Sequence, residues 1–345
     1  EGTIYTTGNK EKIEYITAMD LEGKIKWQKP YGKAWKAHYP ESRGTPTIDG
    51  GLAFVVNGMG AASCFDVKSG EEKWTRDVFT EYEGKYSPWG IGKSLLVVDD
   101  KVICTPGGAK ATMVALDKKT GKVVWASKSI GDKAAYCSPI LVERGGKKII
   151  VEILAEHIIG VDAANGDILW SFDCKEYQPK TKGINCISPI YHEGEIYVTS
   201  GYNMGSIKLG LSADGGSAEK VWTNFDLDTH VGGVVLVDGH IYGTSWDGNR
   251  NGSWVCVDWK SGKTMYDTKW GNKGQIITAG GMLYCYEEKS GKFGLAKATP
   301  DGFDVVSSFE IPHGEGIHWA HPAISDGVLY VRHNDVLMAY DIKAE

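Results

Sequence analysis

The sequence predicts an all-β fold, an eight-bladed β-propeller of four-stranded antiparallel blades, and three observations carry that prediction. A short frame recurs at steps of 45–51 residues where it is best preserved. Between its copies, β-branched and aromatic residues alternate with polar ones, punctuated by Asp-Gly and Glu-Gly pairs. No stretch holds a helical period long enough to build a second domain, so residues 1–345 read as one domain.

The frame is complete at Ala115, Asp117, Gly121 and Trp125. It returns as Cys64, Asp66, Gly70 and Trp74, as Gly160, Asp162, Gly166 and Trp170, and as Cys256, Asp258, Gly262 and Tyr266. A shortened copy (Ala18, Asp20, Gly23, Trp27) opens the series and Ala339-Tyr340-Asp341 closes it. Successive aspartates lie 46, 51, 45, 96 and 83 residues apart, so two eroded copies belong in the long gaps. Trp222, ending the segment 218–222, marks one and residues 297–302 mark the other, which makes eight.

Each period contains four strands. A Ser-Pro-type start opens the first at Ser138-Pro139, Ser188-Pro189 and His321-Pro322. Tight turns follow at Asp49-Gly50, Glu193-Gly194, Asp238-Gly239 and Asp326-Gly327, pairs that tolerate positive φ. The second strand is β-branched and aromatic, as at 196–198 and 328–331. The Asp…Gly…Trp element supplies the third strand, a turn and the fourth, and its tryptophans are read as packing between blades. The first copy lacks a first strand and the last lacks a fourth. The expectation is therefore that an upstream segment of the natural protein completes both blades.

Composition narrows the partners. The chain is 42% hydrophobic and 24% charged, with 45 Gly, enough apolar mass for a core. A net charge of −6 with scattered basic residues gives no footprint for nucleic acid, and pairs such as Lys118-Lys119 read as solvated turn tips. No apolar run is long enough for a transmembrane helix; the most hydrophobic segment, 149–161, is broken by Glu152, Glu156 and His157. The seven cysteines form no CxxC and no adjacent pair, and they recur at equivalent places (Cys64 with Cys256, Cys104 with Cys285), as small apolar filler does. The start at Glu1-Gly2 fits a processed or trimmed export substrate, and the expectation is a periplasmic or secreted protein that is a monomer.

The frame resembles the tryptophan-docking motif of the quinoprotein alcohol dehydrogenases, the PQQ-like repeat family, over essentially the whole chain. Similar repeats occur in the envelope assembly scaffold BamB and in secreted proteins resembling polyvinyl-alcohol dehydrogenases. For the enzymes the resemblance implies pyrroloquinoline quinone with Ca²⁺, a vicinal cysteine disulfide and a Glu, Asn and Asp calcium site. None of these can be assigned here by motif, nor is there a haem-attachment CxxCH. No cofactor is therefore supported, while PQQ with Ca²⁺ stays open through the abbreviated soluble dehydrogenases.

Propellers bind ligands where the loops entering the first strands and joining second to third strands converge. Residues just before the Ser-Pro position include Arg43, Trp89, Lys133, Tyr136, Asn185, His230, Asn272, Lys273, His318 and Trp319. The other loops supply Asn57, Glu156, Asn203, Trp246, Asp247, Glu287 and His333. Amides and charges suit hydroxyl groups and aromatic faces suit sugar rings, so the set points to a small polar or saccharide ligand. His318 and His321, three residues apart on an alternating strand, would face opposite ways, and no metal site is expected. Three functions compete. The preferred one is an exported propeller that binds such a ligand, or a protein partner of the envelope, without chemistry. The alternatives are a quinone-dependent alcohol or sugar oxidoreductase and a BamB-like scaffold.

Overall fold

The computed structural model describes residues 2–178, 180, 182–249 and 251–343. Consecutive antiparallel meanders form the eight sheets of a β-propeller, at residues 4–33, 47–76, 96–126, 140–173, 190–224, 235–268, 274–310 and 323–341, numbered here as blades 1 to 8. The only helix among the described residues longer than one 3₁₀ turn is Val78–Glu81. Blades 1 and 8 have three strands each: Ile4–Lys10, Ile13–Met19 and Ile25–Lys33 in one, and Ala323–Ser325, Val328–His333 and Val336–Asp341 in the other. The chain divides into two compact units. The first comprises Glu1–Lys175, Thr181–Ser188 and Leu211–Ala218; the second comprises Glu176–Lys180, Pro189–Gly210 and Glu219–Glu345.

The recurring frame is a packing device. Its aspartate closes the turn: one carboxylate oxygen of Asp66 accepts from the backbone N–H of Lys68 and Ser69 and from the Ser69 hydroxyl, and Asp117 serves Lys119 and Thr120 in the same way. Each turn needs a left-handed residue, filled by Gly70 at φ 68° and Gly121 at φ 67°. A bulge then sets the small first residue of the frame opposite the ring: Ala18 pairs with Trp27, Cys64 with Trp74, Ala115 with Trp125, Gly160 with Trp170 and Cys256 with Tyr266. Hence Ala, Cys and Gly interchange at that position. A Cβ on Gly160 would fall 2.2 Å from the Trp170 ring.

Four of the tryptophans also reach the next blade. Each indole Nε1–H donates to the carbonyl of the residue after that blade's aspartate: Trp27 to Val67 (3.0 Å), Trp74 to Lys118 (3.0 Å), Trp125 to Ala163 (3.1 Å) and Trp222 to Trp259 (3.1 Å). The rings lie on the turn glycines, whose added Cβ atoms would stand 2.5–2.8 Å from Trp27, Trp74, Trp125 and Trp222. Trp222 thus docks like the others although its own blade has lost the rest of the frame. Four of the cysteines pack in the same layers. Cys64 of blade 2 meets Cys104 of blade 3 in one core cluster, and Cys256 of blade 6 meets Cys285 of blade 7 in another. Burial pushes the Cys64 and Cys104 thiols up to about 12, so they stay protonated.

The Ser-Pro start has a purpose that its spacing did not reveal. In the first unit the serine hydroxyls form a relay: Thr45 N–H donates to Ser94, Ser94 N–H to Ser138 and Ser138 N–H to Ser188, at 2.9, 2.9 and 3.1 Å. Three of the four expected hairpin pairs hold, with positive φ at Glu193-Gly194, Asp238-Gly239 and Asp326-Gly327. The fourth moves one residue to Gly50-Gly51, because Asp49 still pairs with Leu52 in the ladder. Lys118 is not a solvated tip: its ammonium binds Asp49 of blade 2 at 2.6 Å and the Asp99 carbonyl.

Candidate functional site

The residues singled out from sequence fall into both units, and several support backbone rather than facing solvent. In the first unit, the Asn57 side-chain oxygen Oδ1 accepts from the N–H of Met59 and Ala61, both at 3.0 Å, closing its own loop. Asn185 is fully buried and donates to the Leu154 carbonyl at 2.6 Å. Glu156 and Lys133 are exposed, and Glu156 pairs with Lys175 at 2.9 Å. Arg43, Trp89 and Tyr136 do come together. The Arg43 guanidinium donates to the Trp89 carbonyl, the Tyr136 hydroxyl accepts from the Trp89 N–H at 3.2 Å, and the Trp89 and Tyr136 rings lie 5.8 Å apart.

The second unit holds the denser group. Tyr202, His230 and Trp246 form an aromatic corner, with ring centroids 4.5 Å apart for Tyr202 and His230, 4.8 Å for Tyr202 and Trp246, and 6.5 Å for His230 and Trp246. All three are half-buried. Burial, helped by the positive charge of Lys273, holds the His230 imidazole down at about 4, so it is neutral at pH 7. Lys273 is the hub. Its ammonium is 2% exposed and donates to Glu288 at 2.7 Å and to the Gly248 carbonyl at 3.1 Å. The other oxygen of Glu288 accepts the Trp319 indole N–H at 3.1 Å, pinning a ring that is 41% exposed. Asp247 beside Trp246 is paired with Lys269.

Glu287, fully buried, caps a turn by accepting from the N–H of Lys289 and Ser290. His318 and His333 stack with centroids 3.7 Å apart. Nδ1 of His318 hydrogen-bonds the Tyr286 hydroxyl at 2.5 Å, and the His333 ring nitrogens face the carbonyls of His313 and Gly316. His318 and His321 lie in a loop before the strand Ala323–Ser325, so strand alternation does not separate them; His318 is instead committed to its stack.

Tyr202, Glu288 and Asp228 were missed from sequence. Tyr202 and Asn203 are consecutive left-handed residues, φ 62° and 60°, a costly arrangement for non-glycine backbone. Asp228 holds them there: buried, it accepts the N–H of Asn203 at 2.6 Å and of Gly205 at 2.8 Å. The signal available was Asn203 itself, a residue type that tolerates this region.

Burial pushes the Asp228 carboxyl up to about 6, against the pull of these backbone donors. The folded state therefore binds its proton more tightly than the unfolded chain. The contribution of Asp228 to stability is largest near pH 4 and falls as pH rises to about 6, by on the order of 2–3 kcal/mol. The difference in unfolding free energy between the parent and Asp228→Asn, measured by urea titration from pH 4 to pH 7, should shrink over that window. A flat difference would show that folding leaves the Asp228 pKa unchanged.

An antiparallel propeller whose blades lock through indole-to-turn docking is a PQQ-like propeller. A family model described as outer membrane protein assembly factor BamB matches residues 12–268, and the chain belongs to that family. Outer membrane protein assembly factor BamB of Shewanella oneidensis is 20% identical over 326 residues, covering 88% of this chain and 75% of that protein. The crystal structure of BamB from Moraxella catarrhalis superposes with a TM-score of 0.66 at 15% identity, over 98% of this chain and 95% of that one. A europium-containing methanol dehydrogenase gives a TM-score of 0.61 at 15% identity, over 96% of this chain and 80% of that one. These two likenesses establish the shared fold.

Proposed function

We propose that the chain is a non-catalytic binding protein of the cell envelope that takes a small polar or saccharide ligand at the aromatic corner of its second unit. The observation that carries this reading is the convergence of Tyr202, His230 and Trp246 within 6.5 Å, beside a fully neutralised Lys273–Glu288 pair. Ring faces stack on the C–H face of a sugar, and the exposed amide of Asn203, next to Tyr202, offers a donor and an acceptor to hydroxyls. Trp246→Ala should weaken such binding about tenfold or more, read by isothermal titration with the fold checked by circular dichroism. Binding equal to the parent's would sink the reading.

The donor set does not suit calcium-bound quinone. Glu14 is taken by Tyr31 and Ser42, Glu152 by Lys93 and Thr105, Glu288 by Lys273 and Trp319, and Asp228 by backbone N–H groups. No two cysteines are adjacent for the vicinal disulfide. Addition of pyrroloquinoline quinone with Ca²⁺ is accordingly expected to leave the quinone spectrum unchanged and to give no dye-linked alcohol oxidation. A stoichiometric spectral shift would reverse that assignment.

The family match favours a second reading, an assembly scaffold that contacts a protein of the envelope. Among the described residues no helix is long and apolar enough to cross a membrane. Co-purification from the native envelope of a stoichiometric protein partner, retained by Trp246→Ala, would favour the scaffold over the ligand site.

A further inference from the structure

We infer that the outer edge of blade 1, in the first unit, docks on an anionic lipid surface. This goes beyond the ligand-binding reading and does not depend on it.

The chain as a whole is acidic, with 38 Lys and Arg against 44 Asp and Glu. Residues 10–36 reverse that balance, with seven lysines against four carboxylates. Two of the four are engaged within the fold: Glu14 is buried on Tyr31 and Ser42, and Asp20 accepts the Lys24 N–H at 2.7 Å. All seven lysines are exposed, and among the described residues none of them forms an ion pair.

The sheet gathers these lysines. Lys26, Lys29 and Lys33 stand on the strand Ile25–Lys33, an edge of blade 1 that spans about 30 Å. Ile13 pairs with Lys10 on one side and with Lys33 on the other, which puts these two lysines about 10 Å apart on one face. Lys12 lies at the same end, its carbonyl accepting the Ala34 N–H at 2.9 Å. Lys26 donates to neutral oxygens, the Gly2 carbonyl and the Thr3 hydroxyl, so its charge is not offset.

Protection of a sheet edge does not account for this stripe. The outer strands of the six four-stranded blades (Glu72–Arg76, Val123–Ala126, Ile168–Asp173, Ala218–Asn224, Thr264–Thr268 and Val305–Glu310) need the same protection. They carry only Lys73, Arg76 and Lys220, and the first two are paired with Glu71 and Glu81. Nor does the blade 1 edge suit an added strand. Pro30 has no N–H to give one, and the ladder behind it is bulged between Glu14 and Tyr15 and between Ala18 and Met19. What fits the edge is a partner that needs its charge and no register. Leu21 and Ile25, 53% and 54% exposed, stand beside Lys24 where the strand begins. Lipid headgroups meet ammonium groups without fixed pairing, and the acyl boundary accepts two aliphatic side chains. At about 0.1 M salt, charges are screened over about 10 Å, so the acidic remainder of the chain does little to oppose a local contact.

Flotation of the whole chain with phosphatidylcholine vesicles, with and without about one-third phosphatidylglycerol, tests the inference. The chain should bind the anionic vesicles about tenfold or more tighter than the neutral ones, and less tightly as salt rises. Lys10→Gln/Lys12→Gln/Lys29→Gln/Lys33→Gln should lose about tenfold or more of that affinity. Lys220→Gln/Lys260→Gln/Lys263→Gln/Lys289→Gln removes as much charge from exposed places in the second unit and should bind within about twofold of the parent. Circular dichroism checks that both variants are folded. Equal losses in the two variants, or equal binding to neutral and anionic vesicles, would overturn the inference. Absence of vesicle binding would also overturn it, and lysine-dependent binding of polyglutamate would then give the surface to an acidic polypeptide.

Discussion

Replacing Trp74 by alanine should lower the free energy of unfolding by about 3–5 kcal/mol, the range for truncating a buried aromatic side chain. The magnitude has three sources in the structure. The ring is 9% exposed and packs within 6.1 Å of Phe54 in the layer between blades 2 and 3, so its loss leaves a cavity there. Its indole donates to the Lys118 carbonyl at 3.0 Å, which would be left to find water or go unpaired. Its face also covers Gly121, so the turn of the next blade loses its cover. Trp74→Phe should keep much of the apolar contact and cost markedly less. Gly121→Ala should be costly from the other side, since its φ is 67° and the new Cβ would stand 2.8 Å from the Trp74 ring. Urea denaturation followed by circular dichroism measures all three, with Val124→Ser on the exposed outer strand as a control expected within about 0.5 kcal/mol. Equal stability of Trp74→Ala and the control would show that the docking is incidental to the fold.

The propeller was legible because its signal is redundant. A frame in which aspartate, glycine and tryptophan each have a separate geometric task leaves a trace even where two of the three are lost. Trp222 and the segment 297–302 therefore sufficed to place blades 5 and 7. The cysteine recurrence was legible for the same reason, as filler in equivalent layers. The candidate site was legible only in part. Aligning the loops brought out His230, Trp246, Lys273 and Trp319, because aromatic or basic residues stood where the repeat tolerates small ones. It also brought out Asn57, Asn185 and Glu287, whose polar groups close turns and cap strands. A buried polar residue that satisfies backbone and an exposed one that awaits a ligand look alike in a single sequence. Asp228 and Glu288 went unread for a complementary reason: each acts on a partner brought near only by the sheet, Asp228 on the loop of Asn203 and Glu288 on Trp319.

The least legible feature gives the other large effect. Lys93 and Glu152 lie 59 residues apart, and their side chains are 3% and 0% exposed. The ammonium of Lys93 bonds one oxygen of Glu152, and the Thr105 hydroxyl donates to the other at 2.6 Å. In the sequence Glu152 looks like an interruption of an apolar strand and Lys93 like a loop lysine, and neither points to the other. Lys93→Met should cost about 3–5 kcal/mol, because it leaves a buried carboxylate with one hydroxyl donor in place of its cation. Glu152→Leu should cost a similar amount through the stranded ammonium. The double variant Lys93→Met/Glu152→Leu should recover most of the loss, since two apolar side chains of comparable volume remove both desolvation penalties together. Unfolding free energies of the four proteins form a double-mutant cycle, and the expected coupling is several kcal/mol. Additive losses in the double variant would mean that the two groups are held by their separate surroundings. Recovery would mean that this pair, a loop lysine on a strand glutamate, contributes little net stability to the first unit.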